Sequence, residues 1–171
     1  MLIKAIGCIF VIVATSLMGL DIYKKIATKK KFTEGVMSGL SYLKKEISFS
    51  LTFLGEGLLR SAEYAQEAGP LFSGTGQALK TEGGNTYDAW KKQLDELQQK
   101  GFVDERVYEI LDQLGRQLGK NSLDNEINTL DGTLEKLEQC LEIQRQECEQ
   151  KGKLYRKAGV LAGLVIVILL V

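Results

Sequence analysis

The chain begins and ends with apolar segments that contain no charged residue. The first, Ala5–Leu20, reads AIGCIFVIVATSLMGL; with the two apolar residues before Lys4 it approaches the roughly 20 residues that a helix needs to cross a bilayer. A cleaved signal peptide is the alternative. However, no small-x-small cleavage pattern follows the apolar core before Asp21, and the residues after Asp21 are strongly basic. We therefore expect residues 1–23 to form a retained transmembrane anchor.

The second apolar segment, Ala158–Val171, is 14 residues long. As a helix it spans about 21 Å, less than the roughly 30 Å of a hydrocarbon core. A buried core helix is the alternative, but the segment is apolar all round and four basic residues precede it. The stems of Arg156 and Lys157 can extend the apolar length because their charged heads reach toward the headgroups. We expect residues 158–171 to form a short second transmembrane helix.

Charge is segregated along the chain, although the 22 basic and 22 acidic residues cancel overall. Residues 32–150 hold 12 basic and 21 acidic residues, a net charge of −9. A basic collar lies on each side of this acidic middle. The first collar is Lys24, Lys25, Lys29, Lys30 and Lys31, and the second collar is Lys151, Lys153, Arg156 and Lys157. The positive-inside rule predicts a cytoplasmic middle with both termini outside. We also expect the collars to attract anionic lipid, at about 1 kcal/mol per basic residue.

The middle of the chain has the pattern of a helical bundle. It contains the single proline, Pro70, and apolar residues recur at helical spacing, as in Val36, Leu40, Leu43, Ile47, Leu51 and Leu54. Helix is predicted over Glu56–Ala68, over Leu71–Lys80, and again after the predicted N-caps Asn85, Asp104 and Ser122. Gly101 and Gly119 are predicted to end two of these helices. Residues 24–157 are thus expected to be an all-α antiparallel bundle of about five or six helices.

The last helix carries a heptad seam. Leu123, Ile127, Leu130, Leu134, Leu137 and Leu141 follow one another at steps of 4, 3, 4, 3 and 4. Packing inside one chain explains such a short seam as well as dimerisation does, so both interpretations stay open.

Residues for catalysis and ligand binding are scarce. Histidine is absent, which removes the commonest general base and metal ligand. Cys8, Cys140 and Cys148 contain no Cys-x-x-Cys pair and are interpreted as free thiols. Gly74–Gly76 and Gly119–Ser122 lack the residues of nucleotide-binding loops. We expect no catalytic residue, metal, cofactor, nucleic acid or small-molecule substrate, and hence no enzyme.

Several motifs, in this order, resemble the stage III sporulation protein AB family of endospore-forming Firmicutes over essentially the full chain. They are Tyr42–Phe49 with Leu54, Gly69–Phe72, Ala89-Trp90, Leu114-Gly115-x-x-Leu118-Gly119, and Lys153–Leu164. Phe53 departs from the proline that members often carry at this position.

The resemblance implies a role in the membrane channel between mother cell and forespore. The family's middle domain is similar to the cytoplasmic helical domains of the type II secretion platform protein F. A secretion-type ATPase of the same operon and other membrane subunits of the channel are the expected partners. The expected location is the mother-cell membrane around the forespore. We select Asp95, Glu96, Glu105 and Glu109 as candidate ATPase contacts. The alternative function is a membrane-tethered coiled-coil adaptor or sensor that dimerises through its last helix.

Overall fold

A computed structural model describes the backbone of residues 2–50, 53–82, 84–120 and 122–170, and the side chains of residues 23–48, 53–81, 84–120 and 122–150. Six α-helices and one short 3₁₀ helix make up the described chain, and no strand is present in it. The α-helices are α1 (Leu2–Ser50), α2 (Leu54–Ser61), α3 (Gly69–Glu82), α4 (Thr86–Gln99), α5 (Glu105–Gln117) and α6 (Leu123–Leu170); the 3₁₀ helix is Gln66–Ala68. The all-α prediction is confirmed for these residues.

The chain divides into two compact units. Residues 29–143 form one unit, here called the bundle, and residues 1–28 with 144–171 form the other. Among the residues whose side chains the structure describes, no helix is long and apolar enough to cross a membrane. The two segments predicted to be transmembrane, 1–23 and 158–171, lie outside the residues whose side chains the structure describes, except for Tyr23.

The core of the bundle forms where the predicted apolar stripes meet. Val36, Leu40 and Leu43 of α1 are fully buried, and Ile47 is nearly so. The largest fully buried side chains are Trp90, Phe32 and Phe72. The Phe72 and Trp90 rings meet edge to face with centroids 5.8 Å apart. Leu130 and Leu137 of the α6 seam belong to this same core, so the seam is used within the chain.

The segment between α2 and α3 differs from the prediction. Helix was expected from Glu56 to Ala68, but α2 ends at Ser61 and a turn follows. This turn brings Ala65 and Ala68 against α1, where both are fully buried; the approach is close because Gly35 and Gly39 offer no side chain there. Burial against another helix has thus overridden the local preference for helix. Pro70 lies in the first turn of α3, a position that proline favours.

The predicted helix boundaries around α4 and α5 are confirmed. The Asn85 side chain accepts a hydrogen bond from the Tyr87 amide at 3.1 Å, and the Asp104 side chain accepts one from the Arg106 amide at 3.2 Å. Gly101 and Gly119 have φ values of +78° and +75°, which glycine adopts without strain. These four residues fix the ends of the α4–α5 hairpin, the part of the bundle that carries the candidate contact residues.

Candidate functional site

The α4–α5 hairpin is held to the bundle by its buried face. Trp90 is fully buried, and its indole Nε1 donates a hydrogen bond to the Leu111 carbonyl oxygen at 2.9 Å. Leu94 on α4 and Val107 on α5 are also fully buried. Gly115 lies directly against the Trp90 indole, so no larger residue fits there. The buried tryptophan therefore sets the register of α4 against α5.

That register aligns polar side chains of the two helices, and they bond across the hairpin. We call this set the α4–α5 ladder: Tyr87, Lys91, Asp95 and Gln98 of α4, with Glu105, Tyr108, Asp112 and Arg116 of α5. Tyr87 Oη donates to Asp112 at 2.9 Å, Tyr108 Oη donates to Asp95 at 2.5 Å, and Gln98 Nε2 donates to Glu105 at 3.0 Å.

Lys91 and Arg116 are the two basic residues of the ladder, and both pair with its carboxylates. The Lys91 ammonium hydrogen-bonds to the Tyr108 hydroxyl and lies 3.2 Å from both Asp95 and Asp112. Arg116 Nε donates to Asp112 Oδ2 at 3.0 Å. The hydrogen bond with Tyr108 is the largest cause that raises the pKa of Lys91, and its carboxylate partners add to it. Lys91 is therefore a fixed positive charge at neutral pH.

Asp112 is the most enclosed carboxylate of the ladder, with 16% of its side chain exposed. Burial raises its pKa, but hydrogen bonds from Tyr87, Arg116 and Lys91 outweigh that effect, so the net pKa lies below the ordinary value. The carboxylate stays ionised because its three donors are already in place. We conclude that these bonds stabilise the hairpin, although the Gln98 Oε1 atom is buried without a hydrogen-bond partner among the described residues.

The four candidate contact residues fall into two groups. Asp95 and Glu105 are members of the ladder and accept hydrogen bonds from Tyr108 and Gln98. Glu96 and Glu109 are exposed, and their side chains form no hydrogen bond or ion pair within the part of the chain that the structure describes. Sequence reasoning could not separate the two groups because the separation depends on the register of α4 against α5.

A stripe of acidic residues on α6 was missed by the sequence reasoning. Residues 123–150 hold eight acidic and two basic residues, a net charge of −6 out of the −9 of residues 32–150. We define the α6 acidic stripe as Asp131, Glu135, Glu138 and Glu142, which share one helix face and are all exposed. Asp131 pairs with Lys44 of α1 at 2.7 Å. Counting charge separately for each predicted helix would have found the stripe.

The basic collars are only partly described. Lys29 lies 4.0 Å from Asp104 of α5, and Lys30 lies 3.6 Å from Glu34. Lys24, Lys25 and Lys31 are exposed. The second collar, Lys151, Lys153, Arg156 and Lys157, lies outside the residues whose side chains are described. Both described pairs are partly exposed, so each contributes little to stability.

Binding of a metal or a small molecule requires several polar side chains that converge on one point. No group of three or more Cys, Asp or Glu side chains there is placed to hold a metal ion. A groove of about 270 Å³ lies between the end of α3 and the start of α4, with Asp88, Lys92 and Gln93 among its lining residues. One carboxylate, one ammonium and one amide on a groove wall are ordinary surface chemistry, and we assign them no reaction.

These features define an all-helical bundle protein whose distinctive chemistry lies on exposed helix faces. The model of the stage III sporulation protein AB family matches residues 4–171, and the chain belongs to that family. The family resemblance is thereby confirmed.

Two known proteins are similar to this chain, one in sequence and one in fold. The chain is 25% identical to stage III sporulation protein AB of Bacillus subtilis (strain 168) over 170 residues, which is 99% of each chain. A solved structure of a stage III sporulation protein AB (SpoIIIAB) is similar in fold, with a TM-score of 0.63 and 22% identity. That alignment covers 71% of this chain and 96% of the solved chain.

Proposed function

We propose that the chain is an integral membrane platform component of the channel between mother cell and forespore. In this role it anchors or couples a cytoplasmic secretion-type ATPase to the membrane complex, alongside other membrane subunits. Both apolar segments cross the mother-cell membrane around the forespore, and the acidic middle faces the cytoplasm. Membership of the sporulation family supports the cellular process, and the charge pattern supports the orientation.

One observation carries the proposal: α1 and α6 are single helices of 49 and 48 residues. Each contains an apolar segment, a basic collar and one side of the bundle, without an intervening loop. Each predicted membrane segment is therefore joined to the bundle through a helix of the same chain and not through a loop.

The contact surface that we propose for the ATPase centres on Glu96 and Glu109. Both carboxylates are exposed and have no side-chain partner within the described residues, so a basic partner can pair with them without breaking bonds in the bundle. Asp95 and Glu105 remain candidates of a second kind, since a partner that used them would compete with the ladder.

The coiled-coil adaptor is less well supported. It requires a free seam along Leu123–Leu141, but Leu130 and Leu137 are fully buried in the chain's own bundle, and Leu134 packs against the same core. Only Leu123 at the start of the seam is notably exposed, at 40%. A second copy would have to displace this packing.

Binding of the ATPase to the full chain in lipid nanodiscs tests the proposal. The variant E96K/E109K reverses two free carboxylates, and we expect its affinity to fall at least tenfold, which corresponds to about 1.4 kcal/mol. The control E63K/E67K makes the same charge change at exposed positions between α2 and α3, and should bind as the parent does. Equal losses in the two variants would contradict the assigned surface. No binding by the parent chain would contradict the coupling role.

A further inference from the structure

Asp104 brings three parts of the bundle together at one end. Its carboxylate lies 4.0 Å from Lys29 Nζ, so the turn before α5 lies beside the first collar on α1. On α6, burial raises the pKa of the Cys140 thiol, the Asp104 carboxylate raises that pKa further, and the Arg106 guanidinium lowers it. The turn between α4 and α5 is therefore on the same level of the bundle as Lys29.

The turn itself is well fixed. Gly101 adopts φ +78° to end α4, and the Phe102 amide donates back to the Leu97 carbonyl oxygen at 3.1 Å. Phe102 packs partly against the core, and Asp104 caps α5. With these residues held inward, Lys100 and Arg106 are left exposed on either side of the turn.

Lys100 and Arg106 differ from two other cations of the hairpin, Lys91 and Arg116. Lys91 and Arg116 are bonded within the ladder, whereas Lys100 and Arg106 make no side-chain hydrogen bond or ion pair among the residues described. The same is true of Lys31 on the collar. Residues 29–31 and 100–106 together hold five basic and two acidic residues, whereas residues 32–150 as a whole carry a net charge of −9. This end of the bundle is thus locally positive.

Lys29 connects this end of the bundle to the first collar, which we expect to bind anionic lipid. Eight residues lie between Leu20, the last residue of the first apolar segment, and Lys29. The Debye length is about 8 Å at physiological salt, so basic side chains beside Lys29 are attracted by the same lipid charge as the collar. Under the proposed topology, the α4–α5 turn is therefore within electrostatic reach of the lipid that the collar binds.

We propose that the α4–α5 turn is a second membrane-contact element, in which Lys100 and Arg106 join Lys31 in binding an anionic lipid surface. This rests on the proposed membrane anchoring, and it adds an element 70 residues further along the chain than the collar. Lipid contact at the turn orients the hairpin, because Glu96 lies on α4 and Glu109 lies on α5, the two helices that meet at that turn. The charge of the lipid thereby influences how the ATPase-contact surface is presented.

Headgroup quenching on the full chain in vesicles tests the proposal. The three native cysteines are replaced by serine, and a fluorescent label is attached at Gln99→Cys beside the turn or at Lys120→Cys at the other end of α5. Both positions are exposed. Vesicles contain phosphatidylcholine with or without 30 mol% phosphatidylglycerol (about one lipid in three), plus a lipid with a nitroxide on its headgroup.

We expect the label at position 99 to be quenched at least twofold more than the label at 120 in the anionic vesicles. The difference should shrink in pure phosphatidylcholine, in 0.5 M NaCl (Debye length about 4 Å), and in the variant K100Q/R106Q. Equal quenching at the two positions in a chain that resists carbonate extraction would overturn this inference alone. A chain that carbonate strips from the vesicles would overturn the anchoring and the inference with it.

Discussion

Gly35 is the position where a single added methyl group should most clearly test the packing of α1 against the rest of the bundle. A Cβ there would overlap the Ala65 carbonyl oxygen, and it would lie 3.2 Å from the Ala65 carbonyl carbon and 3.3 Å from the Ala68 nitrogen. These are backbone atoms of two fully buried residues, so they cannot rotate aside.

The size of the effect follows from two opposing terms. Overpacking a well-packed site costs about 1–3 kcal/mol or more. Replacing a glycine within a helix by alanine stabilises the helix by about 1 kcal/mol, because alanine has the higher helix propensity. Because the clash is with backbone, we expect the upper part of the first range and a net loss of about 2 kcal/mol for G35A. For a bundle of this size, that lowers the Tm by about 5–10 °C.

Gly132 provides the matched control, because it also lies in a long helix but a Cβ there meets nothing within 4 Å. G132A should be more stable than the parent by about 0.5–1 kcal/mol. Unfolding of the full chain in detergent can be followed by the emission of Trp90, the single tryptophan, which is fully buried. Equal stability of G35A and G132A would contradict the close packing of α1 on the segment from Ala65 to Ala68.

Three further predictions concern individual polar residues. Gln144 is nearly buried, and neither its amide nitrogen nor its amide oxygen has a hydrogen-bond partner among the described residues. Q144L should therefore raise the free energy of unfolding by about 1–3 kcal/mol in chemical denaturation. The control Q139L, at an exposed position, should change that free energy little. Gln66 adopts φ +45°, so Q66G should stabilise by about 1 kcal/mol, and a loss of stability would contradict the backbone assigned there. The pKa of Asp112 is lowered in the folded chain, so the ionised carboxylate stabilises the fold at pH values above its ordinary pKa of about 3.9. This contribution is lost as the pH falls through the lower folded pKa, so D112N should be less stable than the parent at pH 7 and the difference should narrow below pH 4. A difference in stability that stays constant with pH would contradict the bonds assigned to Asp112 in the ladder.

Features that depend on local chemistry were predictable from the sequence. Asn85 and Asp104 cap helices because their side chains reach an amide two residues on, and Gly101 and Gly119 end helices because glycine alone adopts a positive φ without strain. Apolar spacing likewise predicted the buried face of α1. Each of these inferences needs only residues close together in the chain.

Features that depend on distant partners were not predictable in the same way. The end of α2 at Ser61 reflects the burial of Ala65 and Ala68 against α1, more than 25 residues earlier in the chain. The ladder likewise depends on the register that Trp90 sets between α4 and α5. For this reason Asp95 and Glu105 looked equivalent to Glu96 and Glu109 in the sequence, although only the latter two are free for a partner.

The central claim is that both ends of the chain are held in the membrane with the bundle on the cytoplasmic side. Cysteine labelling in protoplasts of vegetative cells tests it most directly, using full chains without native cysteines. One reporter is Lys45→Cys, an exposed bundle position, and the other is a cysteine added after Val171. A membrane-impermeant maleimide should label the C-terminal reporter in intact protoplasts and the Lys45→Cys reporter only after lysis. Protection of both reporters until lysis, or labelling of Lys45→Cys in intact protoplasts, would contradict the account.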